Sequence, residues 1–311
     1  MSRELSFTTA LGSHIVRISF ENEGSLDLLA KMTDFLIPAA PDATPNFNVY
    51  VKTGSEKMFP AQYTVSRSTQ QLEFRSPDFV GEFDLGQRCA NVLIPNFLDI
   101  RDHFKGKSLR PLWSILAGTQ QLTMMHAALI AREGEGVLIV GNSGRGKTTL
   151  ATHAARHGWS LLSEDTTPVS CVGGITHGYS FYASLNLTES EALRQQISTS
   201  PRLVELERQK RIFHFSDLAN TYKFHYGTVP VRTIVALDGF TDRTAVEKLS
   251  TTDVLRYIVP STMLQDSLRP STLLRDVTAI AKTARTFSMR LGPMHTSNVA
   301  ELNSLVGALS T

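Results

Sequence analysis

The sequence predicts an α/β protein in two parts: a smaller α/β domain over residues 1–110 and a larger α/β domain over residues 111–311, built around a glycine-rich loop. Three observations predict it. Residues 137–156 read as strand, glycine-rich loop and helix. The first hundred residues alternate in strand fashion around one helical stretch. The last hundred show helical spacing between further apolar strands.

In the first part, His14 to Phe20 alternates, with Val16, Ile18 and Phe20 on one face. A helix is expected from Ser25, a candidate N-cap, carrying Leu26, Leu29 and Phe35 and ended by Pro38. Phe47, Val49 and Val51 mark the next strand. Shorter strands at 62–66, 71–75 and 79–83 have the spacing of an antiparallel meander. This part carries no chemical motif and reads as a scaffold or substrate-gripping domain.

Residues 87–122 read as helical, with Leu112, Trp113 and Leu116 on one face. Arg101, Lys105 and Arg110 supply charge suited to a solvated face or a phosphate contact. Residues 124–131 then read as an apolar strand interrupted by His126, turning at Glu133-Gly134 into a hairpin partner. A lone histidine there fits either a satisfied core residue or a group beside the following loop.

That loop is Gly141-Asn142-Ser143-Gly144-Arg145-Gly146-Lys147-Thr148-Thr149, with the spacing G-x-x-x-x-G-K-T between an apolar strand and a helix. Its glycines can adopt backbone angles that turn successive N–H groups inward around a phosphate. The positive end of the next helix faces the same anion. Lys147 can reach the outer phosphates, and the Thr148 hydroxyl can hold a Mg²⁺ ion. The loop therefore predicts binding of a nucleoside triphosphate, with residues 141–149 as its cradle.

The loop helix stops at His157-Gly158, and a short strand over 159–163 ends at Glu164-Asp165. Acids at a strand end beside a phosphate loop suit two tasks: coordinating Mg²⁺ and accepting a proton from an attacking hydroxyl. The string also fits a solvated turn. Residues 171–182 read as a hairpin and 189–196 as a short helix. Arg202, Arg208, Lys210 and Arg211 cluster around Leu203, Val204 and Leu206, as a polar helix face or as cations for a transferred phosphoryl group. The strand over 232–238 ends in Asp238, a pattern shared by second Mg²⁺-site strands and plain Asp-Gly turns. Helices are expected at 252–259, stopped by Pro260, and at 271–287. A final strand over 288–291 and a closing helix over 298–309 follow.

With 41% hydrophobic and 19% charged residues, the composition is that of a globular protein. A formal net charge of +2 gives no reason to expect a nucleic-acid or anionic-membrane partner. No apolar run approaches the roughly 20 residues that span a bilayer. Cys89 and Cys171 read as reduced, small, buried residues of a cytoplasmic protein.

Taken together, His126, the G-x-x-x-x-G-K-T loop, the helix ending at Gly158 and the Glu164-Asp165 pair resemble the core of the HPr kinase/phosphorylase family and its relatives. The resemblance covers roughly residue 122 onward. It implies a phosphoenolpyruvate carboxykinase-like P-loop core with a mixed sheet. It also implies ATP and Mg²⁺ as cofactors, transfer of the γ-phosphate to a hydroxyl of a peptide, protein or small molecule, and a homo-oligomer. By the same resemblance Asp165 or Glu164 would be the base, and His126 would lie beside the transferred phosphate with Lys147. Thr148 and the acid pair would hold the metal. The family usually has Asp-Asp at this pair; the longer Glu164 puts the central role on Asp165. The downstream signature for engaging HPr is not found, so the acceptor stays open.

Two other classes fit a P-loop: a hydrolase or switch, and a nucleotide sensor without turnover. The chain has neither the Asn-Lys-x-Asp guanine-selecting motif nor the Ser-Gly-Gly-Gln transporter signature.

Overall fold

The computed structural model describes residues 5–20, 33–54, 64–76, 79–95, 110–205, 209–263 and 270–307. They form mixed α/β structure in two compact units, residues 1–116 with 203–210, and residues 117–202 with 211–311.

The first unit is built on a seven-stranded sheet. Strands β1 (Leu5–Leu11) and β2 (His14–Phe20) form a hairpin, and β3 (Phe47–Thr53) runs parallel to β2. Beyond it, β4 (Thr64–Arg67), β5 (Gln71–Ser76), β6 (Phe79–Asp84) and β7 (Cys89–Ile94) form an antiparallel meander, with β7 paired parallel to β3. Period-two alternation buries Val16, Ile18, Phe47, Val49, Val51, Leu72, Phe74, Phe83, Val92 and Ile94 on one face. The helical reading from residue 87 is therefore wrong for Cys89–Ile94, whose Ala90, Val92 and Ile94 point inward as a strand. The expected helix from Ser25, with Leu26 and Leu29, lies outside the described residues, as do Arg101 and Lys105. Helix α1 (Arg110–Thr119) follows, burying Leu112, Trp113 and Leu116. The first unit also takes the short strand β15 (Leu203–Glu205).

The second unit centres on a nine-stranded mixed sheet. Its strands are β8 (Thr123–Met125), β9 (Ala128–Arg132), β10 (Glu135–Val140), β11 (Ser160–Ser163), β12 (Thr167–Val172), β13 (Ile175–Tyr179), β17 (Thr228–Phe240), β18 (Ala245–Lys248) and β19 (Arg285–Leu291). Strands β9 and β10 form the expected hairpin, turning at Glu133 and Gly134 with φ of 54° and 81°. Helix α2 (Lys147–Arg156) then crosses over β9 to β11, and β10 and β19 flank β17 in parallel. On the opposite face, α4 (Thr251–Met263) and α5 (Pro270–Thr283) bury Val254, Ile258, Leu273, Val277 and Ile280 against Leu138, Val140, Ile234 and Ala236. A capped turn of helix, α3 (Glu189–Arg194), follows β14 (Ser184–Thr188), which neighbours β16 (Lys210–His214) in a smaller sheet; α6 (His295–Gly307) ends the unit. Among the described residues no helix is long and apolar enough to cross a membrane.

Several local expectations are corrected. The run 124–131 is not one strand: β8 ends at Met125, and His126 stands in the turn before β9. Pro260 does not stop its helix, because it lies on the exposed face of α4, where the carbonyl it leaves unpaired can meet water. The helix expected to reach Phe287 ends at Thr283, since Arg285–Leu291 completes the sheet beside β17. The basic stretch around Val204 and Lys210 is strand, not helix; Arg208 and Leu206 lie outside the described residues. The two cysteines are free and half-buried.

On α2, the His153 ring stacks on His295 of α6 with centroids 3.8 Å apart. Burial first, then His295, Arg156, His157 and Arg194, lowers the His153 pKa from 6.5 to about 4. The unfolded chain therefore binds a proton that the folded chain refuses between pH 6.5 and 4, so stability falls as pH drops through that window. Thermal denaturation from pH 7.5 to 5 should show a falling Tm, with a shallower fall in His153→Gln.

Candidate functional site

Two strand pairs set the site. β8 pairs with β12, Met125 opposite Thr167, and β9 pairs with β11, Leu129 opposite Ser163. The chain passes from one pair to the other twice, side by side. One passage is a three-residue turn centred on His126, closed by the Ala127 N–H on the Met125 carbonyl at 3.0 Å. The other is centred on Asp165, closed by the Thr166 N–H on the Glu164 carbonyl at 2.9 Å. The Thr167 hydroxyl ties the two passages by donating to the Ala127 carbonyl at 2.8 Å. Asp165 has φ +70°, a left-handed conformation that a non-glycine residue holds only when its surroundings enforce it.

The turns bring His126 and Asp165 into contact. The His126 Nδ1 lies 3.0 Å from both the carbonyl and the Oδ1 of Asp165. On the other side of the ring, Lys147 Nζ lies 3.0 Å from Nε2. An ammonium only donates, so Nε2 accepts, and Nδ1 carries the proton it gives to Asp165. Lys147 is buried and also donates to the carbonyls of Gly141 at 2.8 Å and Asn142 at 3.2 Å. The result is one continuous chain, Lys147–His126–Asp165, across the mouth of the glycine-rich loop.

The loop joins β10 to α2. Gly141, Gly144 and Gly146 all have positive φ, at 132°, 79° and 94°. At Gly141 a Cβ would stand 2.9 Å from the Leu237 carbonyl; at Gly146 it would stand 2.6 Å from the Leu291 side chain. Asn142, Ser143, Gly144 and Arg145 form the exposed crest. Gly146 caps α2 without any side-chain hydrogen bond, which leaves the first turn open towards an anion.

In the first turn of α2, the Thr148 hydroxyl donates to Glu164 Oε1 at 2.6 Å, and Glu164 is only 2% exposed. A hydroxyl and a buried carboxylate are hard oxygen donors suited to Mg²⁺. Among the described residues no group of three or more His, Cys, Asp or Glu could hold a metal. An ion here would therefore draw further ligands from phosphate and water, which is the habit of Mg²⁺.

The structure thus brings together His126, the loop residues 141–149, Glu164 and Asp165. It leaves out Asp238, whose carboxylate meets the Tyr257 hydroxyl of α4. It leaves out the basic cluster too: Arg202 pairs with Asp217 at 2.6 Å, and Arg211 pairs with Glu189. One contributor went unnoticed in the sequence. Glu191 accepts from Thr149 at 2.9 Å while completing a capping box with Thr188, so α3 is tied to the start of α2. The Thr188-Glu189-Ser190-Glu191 spacing was the available signal.

Comparison with known proteins adds a sequence similarity. No family model matches the chain. A stretch of 69 residues is 38% identical to the HPr kinase/phosphorylase of Mycoplasmopsis pulmonis, spanning 22% of this chain and 22% of that protein. The chain thus matches about a fifth of the length of this curated relative. Among solved structures, the HPr(Ser) kinase/phosphatase from Coxiella burnetii aligns over 60% of this chain and 96% of that chain, at 11% identity and a TM-score of 0.30. The α/β fold rests on the topology described above, not on that alignment.

The glycines separate two costs. Gly144 has positive φ but open space around it, so Gly144→Ala should lower stability by about 1 kcal/mol. Gly146→Ala adds the clash with Leu291 and should lose about 2–3 kcal/mol in chemical denaturation.

Proposed function

We propose that this chain is an ATP-dependent phosphotransferase that passes the γ-phosphate to a hydroxyl, on a peptide or protein serine or on a small molecule. The observation that carries the reading is the Lys147–His126–Asp165 chain lying across a glycine-rich loop next to the Thr148–Glu164 pair. The similarity of one stretch to an HPr kinase/phosphorylase supports it. The chemistry resides in the second unit, residues 117–202 with 211–311, and the N-terminal unit serves acceptor recognition or scaffolding.

In this reading the loop N–H groups and the helix α2 terminus hold the triphosphate. Lys147 exchanges its hydrogen bonds to the Gly141 and Asn142 carbonyls for the outer phosphates. Thr148 and Glu164 would hold Mg²⁺, which neutralises charge on the phosphates when bound. Asp165 takes the proton of the acceptor hydroxyl as its oxygen bonds to the γ-phosphorus. The bond from that phosphorus to the β–γ bridging oxygen breaks, and ADP leaves. His126 orients the Asp165 carboxylate through Nδ1 and the Lys147 ammonium through Nε2, so base and phosphate anchor stay in register. Such chemistry depends chiefly on positioning and charge neutralisation.

Incubation with γ-labelled ATP and Mg²⁺, in the presence of soluble extract or candidate peptides, tests this by intact mass. One added phosphate on an acceptor is expected. Asp165→Asn should slow transfer by about 10² or more while ATP still binds, and Lys147→Ala should weaken binding and abolish transfer. Near-normal transfer by Asp165→Asn would remove the base assignment. Labelled free phosphate without a labelled acceptor means a hydrolase, and bound but unconsumed ATP means a sensor.

A further inference from the structure

We propose that Phe240 is the platform on which the base of the bound nucleotide stacks. This rests on the nucleotide-binding reading of the loop and deepens it by assigning a residue to base recognition.

Phe240 ends β17, the strand beside the loop-bearing β10. It is 68% exposed, so its ring contributes little to the core, while its backbone is held in the sheet. It stands opposite Leu291 in register with β19, and the next N–H, of Thr241, donates to the Leu291 carbonyl at 3.0 Å. Its ring lies over the last glycine of the loop. A Cβ on Gly146 would meet Phe240 Cε1 and Cζ at 3.7 Å, and Leu291 Cδ1 at 2.6 Å. The absent side chain of Gly146 thus leaves the ring directly against the point where the loop becomes helix α2.

The preceding residue contributes a cation at the same edge. Gly239 has φ +95°, and a Cβ there would stand 2.8 Å from Arg145 Nη1. The exposed Arg145 of the loop therefore lies across Gly239, next to the Phe240 position. The glycine-rich loop is thus bordered by an exposed aromatic ring and a guanidinium. A triphosphate held by the loop N–H groups carries its base one ribose away, and a base is the part of that ligand with an aromatic face. Stacking is tolerant of base identity, because every base has such a face. The proposal therefore assigns affinity for the base to Phe240, without a preference for adenine over guanine.

The test measures binding of ATP, GTP and inorganic tripolyphosphate, each with Mg²⁺, to the full chain. Phe240→Ala and Phe240→Leu should both weaken ATP and GTP about tenfold or more and leave tripolyphosphate unchanged. Phe240→Tyr, which keeps the ring, should bind like wild type. The leucine variant retains an apolar contact on Gly146, so it separates packing from stacking. If Phe240→Leu binds ATP as wild type does, or if tripolyphosphate weakens in step with ATP, the platform assignment fails. Wild-type chain that binds neither ATP nor tripolyphosphate overturns the nucleotide reading itself, and this assignment with it.

Discussion

Two three-residue turns run side by side between the same two strand pairs, and the site depends on their alignment. Because β8 pairs with β12 and β9 pairs with β11, the passages at His126 and Asp165 occur at one level of the sheet. Neither side chain has freedom to drift. The His126 ring is held at both nitrogens, and the Asp165 backbone sits at φ +70° in a turn closed by its neighbours. Strained backbone of this kind persists only where the surrounding structure over-determines it. Here the surroundings are the two ladders and the Thr167 hydroxyl that joins them.

The glycine-rich loop depends on the same sheet from the other side. β10 delivers Gly141 against the Leu237 carbonyl of β17, and β19 delivers Leu291 against Gly146. Larger residues at either position would collide with the neighbouring strands, so the loop has room only because it is glycine. Its lysine folds back onto loop carbonyls and onto His126, a set of contacts that satisfies a buried ammonium. An incoming phosphate supplies stronger acceptors than those carbonyls, which makes the exchange favourable under the proposed function.

Helix α2 links the loop to the rest of its unit through polar contacts along one face. Thr149 donates to Glu191, Gln195 donates to Thr152, and the Tyr222 hydroxyl donates to Gln195. Arg156 donates to the Gln195 carbonyl and lies over the Tyr222 ring at 5.3 Å. These contacts fix the rotation of α2 about its axis, and with it the direction in which Lys147 and Thr148 point.

By itself the sequence determined the loop, the helix behind it, the β9–β10 hairpin and the acid pair after β11. Each is a local pattern in which neighbouring residues set the backbone: glycine at positive φ, apolar alternation, a strand ending in acids. The alternation of Cys89–Ile94 and the capping box of Thr188 and Glu191 are local patterns of the same kind. Only the tertiary structure decided the rest. That His126 is a turn residue follows from β8 and β9 pairing with different partners, which no local pattern encodes. That the strand expected at 288–291 begins already at Arg285 follows from its pairing along β17, and that Asp238 turns away follows from Tyr257 on α4. The division between the roles open to Glu164 and Asp165 has the same origin. Adjacent in sequence, they differ because one is buried against Thr148 while the other is bent outward by its turn to meet His126.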